Sequence, residues 1–274
     1  MYCRNRFCRF FVLSSFAIAG VAAADSISGI VYDDANSNNV YDAGEAGIAG
    51  VAVSNGAEVV LTGADGRYVL PVEGDANLFV VKPRDWAVPV RPGDNIPQYY
   101  YLHRPQGSPK TRFDGIAPTG PLPASLDFPL RKQAEGEAFK ILCFGDPQPR
   151  NVEEVDFLTH DILEPLIGSD AAFGITLGDC VFNNLDVFDP MAQAFGLVGI
   201  PWRMVIGNHD HNHDAPSFLQ SSETFQRHFG PAYYAFNYGP VHFIALDDVW
   251  TEPGKEDYHA ELGEKQLAFV ANDL

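Results

Sequence analysis

Phe139-Lys140-Ile141-Leu142-Cys143-Phe144-Gly145-Asp146-Pro147-Gln148 is the stretch from which the rest of this chain can be read. An apolar run of strand length stops at a glycine, and a carboxylate and an amide follow at once. The pattern recurs: Ala171 to Leu177 leads into Gly178-Asp179, Trp202 to Ile206 into Gly207-Asn208-His209-Asp210, and Val241 to Leu246 into Asp247-Asp248. Such runs read as buried strands. Between the first two, Val155, Leu158, Ile162 and Leu166 recur at helical spacing. Between the next two, Met191, Phe195 and Val198 do the same after Asp189-Pro190, a helix start. Strand and helix in alternation predict an α/β fold. In open α/β sheets ligands bind beyond the carboxyl ends of the strands, so the four strands are expected to bring carboxylates, amides and an imidazole to one edge.

Glycine before each of the first three polar groups allows a sharp turn and a close ligand. Any one Asp or Asn after a strand is more often a turn residue or helix cap. Three coincident turns, with His209 in the third, favour a metal site instead. Carboxylate, amide oxygen and imidazole donors suit hard and borderline divalent ions.

The ordered series Gly145-Asp146-Pro147-Gln148, Gly178-Asp179, Gly207-Asn208-His209-Asp210 resembles the calcineurin-like metallophosphoesterase superfamily, from about Glu137 onward. The resemblance implies an α/β metallophosphoesterase core of β-sheet layers with flanking helices. It also implies hydrolysis of a phosphomonoester or phosphodiester at two divalent metal ions, manganese, iron or zinc, sharing a bridging hydroxide. Residue by residue, it implies that Asp146 and Gln148 bind the first ion, Asp179 bridges both and Asn208 binds the second. His209 would stand just outside the metal shell, stabilising or protonating the leaving oxygen, with Asp210 orienting its imidazole. Gln148 stands where many members have His, and this amide oxygen favours a harder ion such as manganese. Members of the superfamily continue past a helix resembling Glu264 to Leu274 into strands carrying a single His and then a Gly-His-x-His turn. The core is therefore expected to be incomplete, with roughly half a site, weak metal binding and no activity of its own.

The remaining histidines and acids read more blandly. His211 and His213 are expected to line the pocket mouth or stand in solvent, His242 to be a core or supporting histidine in a strand, and His160 and His228 to be surface residues of helices. Asp247 and Asp248 are expected behind the ligands. Cys143 and Cys180 read by default as buried thiols, with a bridge between them as the alternative.

Upstream, Ile27 to Tyr32, Gly50 to Val53, Glu58 to Leu61, Arg67 to Leu70 and Leu78 to Val81 are short strands separated by turns such as Asn55-Gly56. Residues 25–92 are thus expected to form a small all-β sandwich. On Gly29 to Asp33, Gly47 to Val53 and Thr62 to Tyr68 this segment resembles the amino-terminal sandwich of some bacterial calcineurin-like phosphoesterases, and more loosely the sandwich modules of bacterial surface proteins. Asp34, Asn36, Asn38, Asp42 and Glu45 have the spacing of a calcium loop, with Asn39 at the sharp turn; a loop without an ion is the alternative. Residues 93–136, rich in Pro and aromatics, read as a connector packed on its neighbours, and residues 137–274 as the amino-terminal part of the phosphoesterase domain.

Residues 1–24 carry Arg4, Arg6 and Arg9, an apolar run and Ala22-Ala23-Ala24, which reads as a signal peptide for export to the periplasm or beyond. No membrane span is expected. Removal of the leader would make the formal charge of −18 more negative by three, a surface unsuited to a nucleic-acid backbone. A phosphate ester is the expected partner. A rival reading is an exported calcium- or partner-binding surface protein with a degenerate, inactive phosphoesterase domain.

Overall fold

The structure is a computed structural model that describes residues 25–251 and 257–274. The expected leader, with Cys3 and Cys8, lies outside the described residues. In chain order the first eight strands are β1 (Asp25–Asp33), β2 (Ala52–Ser54), β3 (Val59–Leu61), β4 (Arg67–Val72), β5 (Ala76–Val80), β6 (Trp86–Ala87), β7 (Tyr100–His103) and β8 (Phe128–Lys132). They form two four-stranded sheets, ordered β4-β1-β8-β6 and β3-β2-β5-β7. In β4 the period of two is plain: Tyr68, Leu70 and Val72 are buried while Arg67 and Val69 face out. Ile27 of β1 lies opposite Leu70, and Val31 lies opposite Phe128 of β8 in a parallel pairing.

Two of these strands correct the reading of residues 93–136 as a connector. β7 pairs with β5 and β8 pairs with β1 and β6, so this segment supplies one strand to each sheet. Its partners are far away in sequence, which is why local pattern did not reveal them. The core so formed, with Val31, Val53, Leu70, Phe79 and Leu130, is continuous with Phe173, Tyr234, Phe236 and Phe269 from the second half of the chain. A buried ion pair, Lys82 with Glu135, adds to the join; Lys82 Nζ also donates to Asn237 O at 2.7 Å and Glu135 Oε2 accepts from Gly239 N at 2.8 Å.

The second half is organised around three parallel strands, β9 (Ile141–Phe144), β10 (Phe173–Leu177) and β11 (Trp202–Val205), in the order β11-β10-β9. Helix α1 (Val152–Leu158) begins at Asn151, whose side chain accepts from Glu154 N. It widens into a π-turn (Thr159–Leu163) and a tight turn (Glu164–Leu166), where Pro165 has no N–H to continue the ladder. Helix α2 (Phe188–Gly196) has Pro190 in its first turn, and Met191 and Phe195 bury against Trp202 and Val155. Gly174 lies flat under the Trp202 indole: a Cβ there would stand 2.2 to 2.5 Å from three ring carbons. The indole is fixed, because its Nε1 donates to the buried Thr176 Oγ1 at 2.9 Å. Gly174→Ala is therefore expected to cost about 1–3 kcal/mol by overpacking, read as a fall in thermal midpoint; an unchanged midpoint would contradict this packing.

The fourth expected strand belongs elsewhere. β12 (Tyr234–Tyr238) and β13 (Val241–Ala245) form an antiparallel hairpin outside the parallel sheet. The remaining elements are the short α3 (Phe218–Ser221), α4 (Glu223–Phe229), β14 (Val249–Thr251), β15 (Tyr258–Ala260) and α5 (Glu264–Asp273). The whole is a set of mixed sheets with few helices. Among the described residues no helix is long and apolar enough to cross a membrane. Cys143 is exposed and Cys180 buried, and both are free thiols, so neither the shared burial nor a bridge holds.

Candidate metal centre

The turns after β9, β10 and β11 lie side by side because their strands do. Asp146, Gln148 and Asp179 take left-handed backbone, at φ +48°, +45° and +48°, a region non-glycine residues seldom occupy. Main-chain bonds tie the turns together: Gln148 N donates to Asp179 O at 3.1 Å, Phe182 N to Pro149 O at 3.2 Å, and Asn183 N to His209 O at 3.2 Å. Gly207 is bare for a reason of space. A Cβ on it would come within 2.2 Å of Asp179 N and 2.3 Å of Asp179 Oδ1.

Asp179 is the centre of the group. Its Oδ1 accepts from His209 N at 3.1 Å and its Oδ2 from Gln148 Nε2 at 2.6 Å. Asp146 is exposed at the same edge, and Asn208 begins the single tight turn Asn208–Asp210 after β11. Two carboxylates and two amides are thus what the chain offers here. Among the described residues no three His, Cys, Asp or Glu side chains gather at metal-binding spacing, so an ion held here would need the amide oxygens as donors beside the carboxylates. That set, two ionisable carboxylates on strained turns with oxygen-bearing amides beside them, fits a hard divalent cation.

His209 is held differently from expectation. Its Nδ1 lies 2.9 Å from Asn183 Oδ1, and its ring stacks on Phe182 with centroids 4.2 Å apart. The Arg150 guanidinium covers Phe182 at 4.7 Å. Asp210 does not orient the imidazole. It is fully buried and accepts three main-chain N–H groups: Cys180 and Gly207 at Oδ2, 3.0 and 2.9 Å, and Val181 at Oδ1, 3.0 Å. The carboxylate is a brace between the turns after β10 and β11. Burial pushes its carboxyl up to about 7, against the pull of those three donors. Asn183, Phe182 and Arg150 were not anticipated as parts of the site; Phe182-Asn183-Asn184 directly after the Gly178-Asp179 turn was the available sign.

His211 is neither at a mouth nor in solvent. It is buried, its Nδ1 is 2.7 Å from Ser221 Oγ, its ring stacks on Phe218, and its Nε2 is 3.8 Å from Asp247 Oδ1. Burial holds this imidazole down at about 3 and lifts Asp247 to about 7. His213 is half-buried, and Asp248 follows β13 as expected from its place in the chain. His228, expected at the surface, is largely covered and bonded to Asp189 at 2.7 Å. His242, expected to be a core or supporting histidine, is partly exposed between Asn237 and Asp273. His160 is exposed and paired with Glu164.

The acidic loop after β1 closes on itself. Asp34, buried, accepts from Asn38 N and Asn39 N at 3.0 and 3.2 Å and from the Arg131 guanidinium at 3.0 and 3.1 Å. Asn36 and Asn38 both donate to Asp42 Oδ2, at 2.8 and 2.7 Å, and Glu45 Oε2 accepts from Asp42 N. Asn39 is left-handed, φ +60°, as the sharp turn requires. The guanidinium already neutralises the first acid of the loop.

Residues 34–115 match the family described as the N terminal of calcineurin-like phosphoesterase, which supports the resemblance drawn from the Gly-Asp and Gly-Asn-His-Asp turns farther along the chain. The matched segment runs beyond Pro92 and through β7. No curated protein matches the chain.

Proposed function

We propose that the full-length protein, whose residues 34–115 match the family described as the N terminal of calcineurin-like phosphoesterase, is an exported metal-dependent hydrolase of a phosphomonoester or phosphodiester. In this reading the two four-stranded sheets are a β-sandwich preceding an α/β phosphoesterase core, and residues 1–24 are the export leader. One observation carries the reading: Asp146, Gln148 and Asp179 all hold left-handed backbone at the carboxyl ends of neighbouring parallel strands. Such strain concentrates where side chains are aimed at a ligand. Asp146 and Gln148 would hold one divalent ion, Asn208 a second, and Asp179 both. When bound, such ions neutralise phosphoryl oxygens and make water nucleophilic near neutral pH.

The protein's own share is position and proton transfer. In the imidazolium form of His209, Nδ1–H donates to Asn183 Oδ1, which leaves Nε2–H for the substrate. Phe182, backed by Arg150, fixes the plane of the ring. As the water oxygen bonds to phosphorus and the ester P–O bond breaks, the leaving oxygen takes its proton from Nε2. His209→Ala is therefore expected to lower turnover by about a hundredfold or more while manganese binding stays intact. The assay is manganese-dependent hydrolysis of a chromogenic phosphate monoester and diester by the full-length protein, with a chelator control. Saturable manganese binding without turnover of either ester would instead favour the binding-protein reading.

A further inference from the structure

Arg150 stands two residues beyond Gln148 in the turn after β9, and its main chain is held on both sides. Its N–H donates to Glu154 Oε2 at 2.7 Å, and its carbonyl accepts from Asn184 Nδ2 at 3.2 Å. The preceding Pro149 O accepts from Phe182 N at 3.2 Å. This anchoring delivers the side chain to the Phe182 ring, over which the guanidinium lies at 4.7 Å; the His209 ring stacks on the same phenyl at 4.2 Å. The cation is therefore no farther from the imidazole than those two distances laid end to end.

The side chain is 63 % exposed, and a guanidinium lying flat on an aromatic ring keeps the N–H groups at its edge free to donate. Among the described residues its ionic contact is with Glu154, Nη1 to Oε1 at 3.6 Å. That is longer than a hydrogen bond, and such pairs near the surface add little, so an incoming anion can displace it. The chain has 36 acids against 18 Lys and Arg. A second anionic group on a substrate thus meets repulsion over most of the surface and attraction beside His209. The ions of the proposed centre would hold the transferred phosphoryl group and leave the far end of the leaving group to the protein. We propose that Arg150 selects phosphate esters whose leaving group carries a second anionic group, a phosphate or a carboxylate, a few bonds from the ester oxygen. The edge of the guanidinium donates to the oxygens of that group. The inference rests on the phosphoesterase reading and adds a substrate class to it.

The test compares kcat/KM of the full-length protein for propyl phosphate, 1,3-propanediol bisphosphate and 3-phosphonooxypropionate, by phosphate release at fixed free manganese and low salt. Wild type is expected to prefer at least one of the two anionic esters by about tenfold, and the favoured one tells whether phosphate or carboxylate is read. In Arg150→Met that preference should fall to roughly twofold or less, the statistical advantage of a bisphosphate, and Arg150→Lys should restore part of it. A loss of turnover through the stack on His209 would fall on all three esters alike and cancel in the ratio. Equal preference in wild type and Arg150→Met, or no preference in wild type, overturns the inference and leaves the phosphoesterase reading standing. Turnover of none of the three by wild type removes that reading and the inference with it.

Discussion

Asp210→Ala is expected to be among the most destabilising single changes in this chain, by about 3 kcal/mol or more. The carboxylate is fully buried and accepts from Cys180 N, Val181 N and Gly207 N, so alanine strands three main-chain donors away from water. Each orphaned buried donor costs about 1–3 kcal/mol, and none of the three donates to a main-chain carbonyl of the neighbouring loops instead. For a chain of this size the thermal midpoint should fall by roughly 6–12 °C. Asp210→Asn keeps one acceptor oxygen and should lose less. Both melts are to be run with chelator, so that lost metal adds nothing; a midpoint within a degree of wild type for Asp210→Ala would contradict the bracing role.

Asp179→Ala is expected to reduce manganese-dependent turnover of the full-length protein by more than about a hundredfold. Residues that only support a metal ligand typically cost ten- to a hundredfold in affinity or activity, and Asp179 is proposed as the ligand itself. Its two oxygens also position the neighbouring turns, through His209 N and Gln148 Nε2. Steady-state kinetics on protein shown to be folded by circular dichroism would check this. A loss smaller than about tenfold would remove Asp179 from the centre of the site.

These two residues show what the sequence could and could not tell. Asp179 was legible because a strand, a glycine and an acid in succession constrain where the acid must point. Asp210 was not: one residue after His209 it could face the imidazole or turn inward, and only the closeness of the turns after β10 and β11 decides for the main-chain donors. Asn183 was hidden for the same reason, since its contact with His209 crosses two loops. β9, β10 and β11 were visible as apolar runs, whereas β7 and β8 pair with strands tens of residues away and carry too little local alternation to stand out among prolines. β13 was found as a strand, but its partner β12 gives it an antiparallel hairpin that no period could assign. His211 was misplaced because a residue two positions beyond the turn reads as following loop, at a pocket mouth or in solvent, while Ser221 and Phe218 close over it.

The central claim is that the turns after β9, β10 and β11 make a divalent-metal site, and manganese titration of the full chain followed by calorimetry tests it most directly. The account predicts a saturable binding event that Asp179→Ala abolishes and Asp146→Ala weakens, and that Asp42→Ala, in the separate loop after β1, leaves unchanged. Binding that is the same in wild type and Asp179→Ala, or that disappears with Asp42→Ala alone, would contradict it.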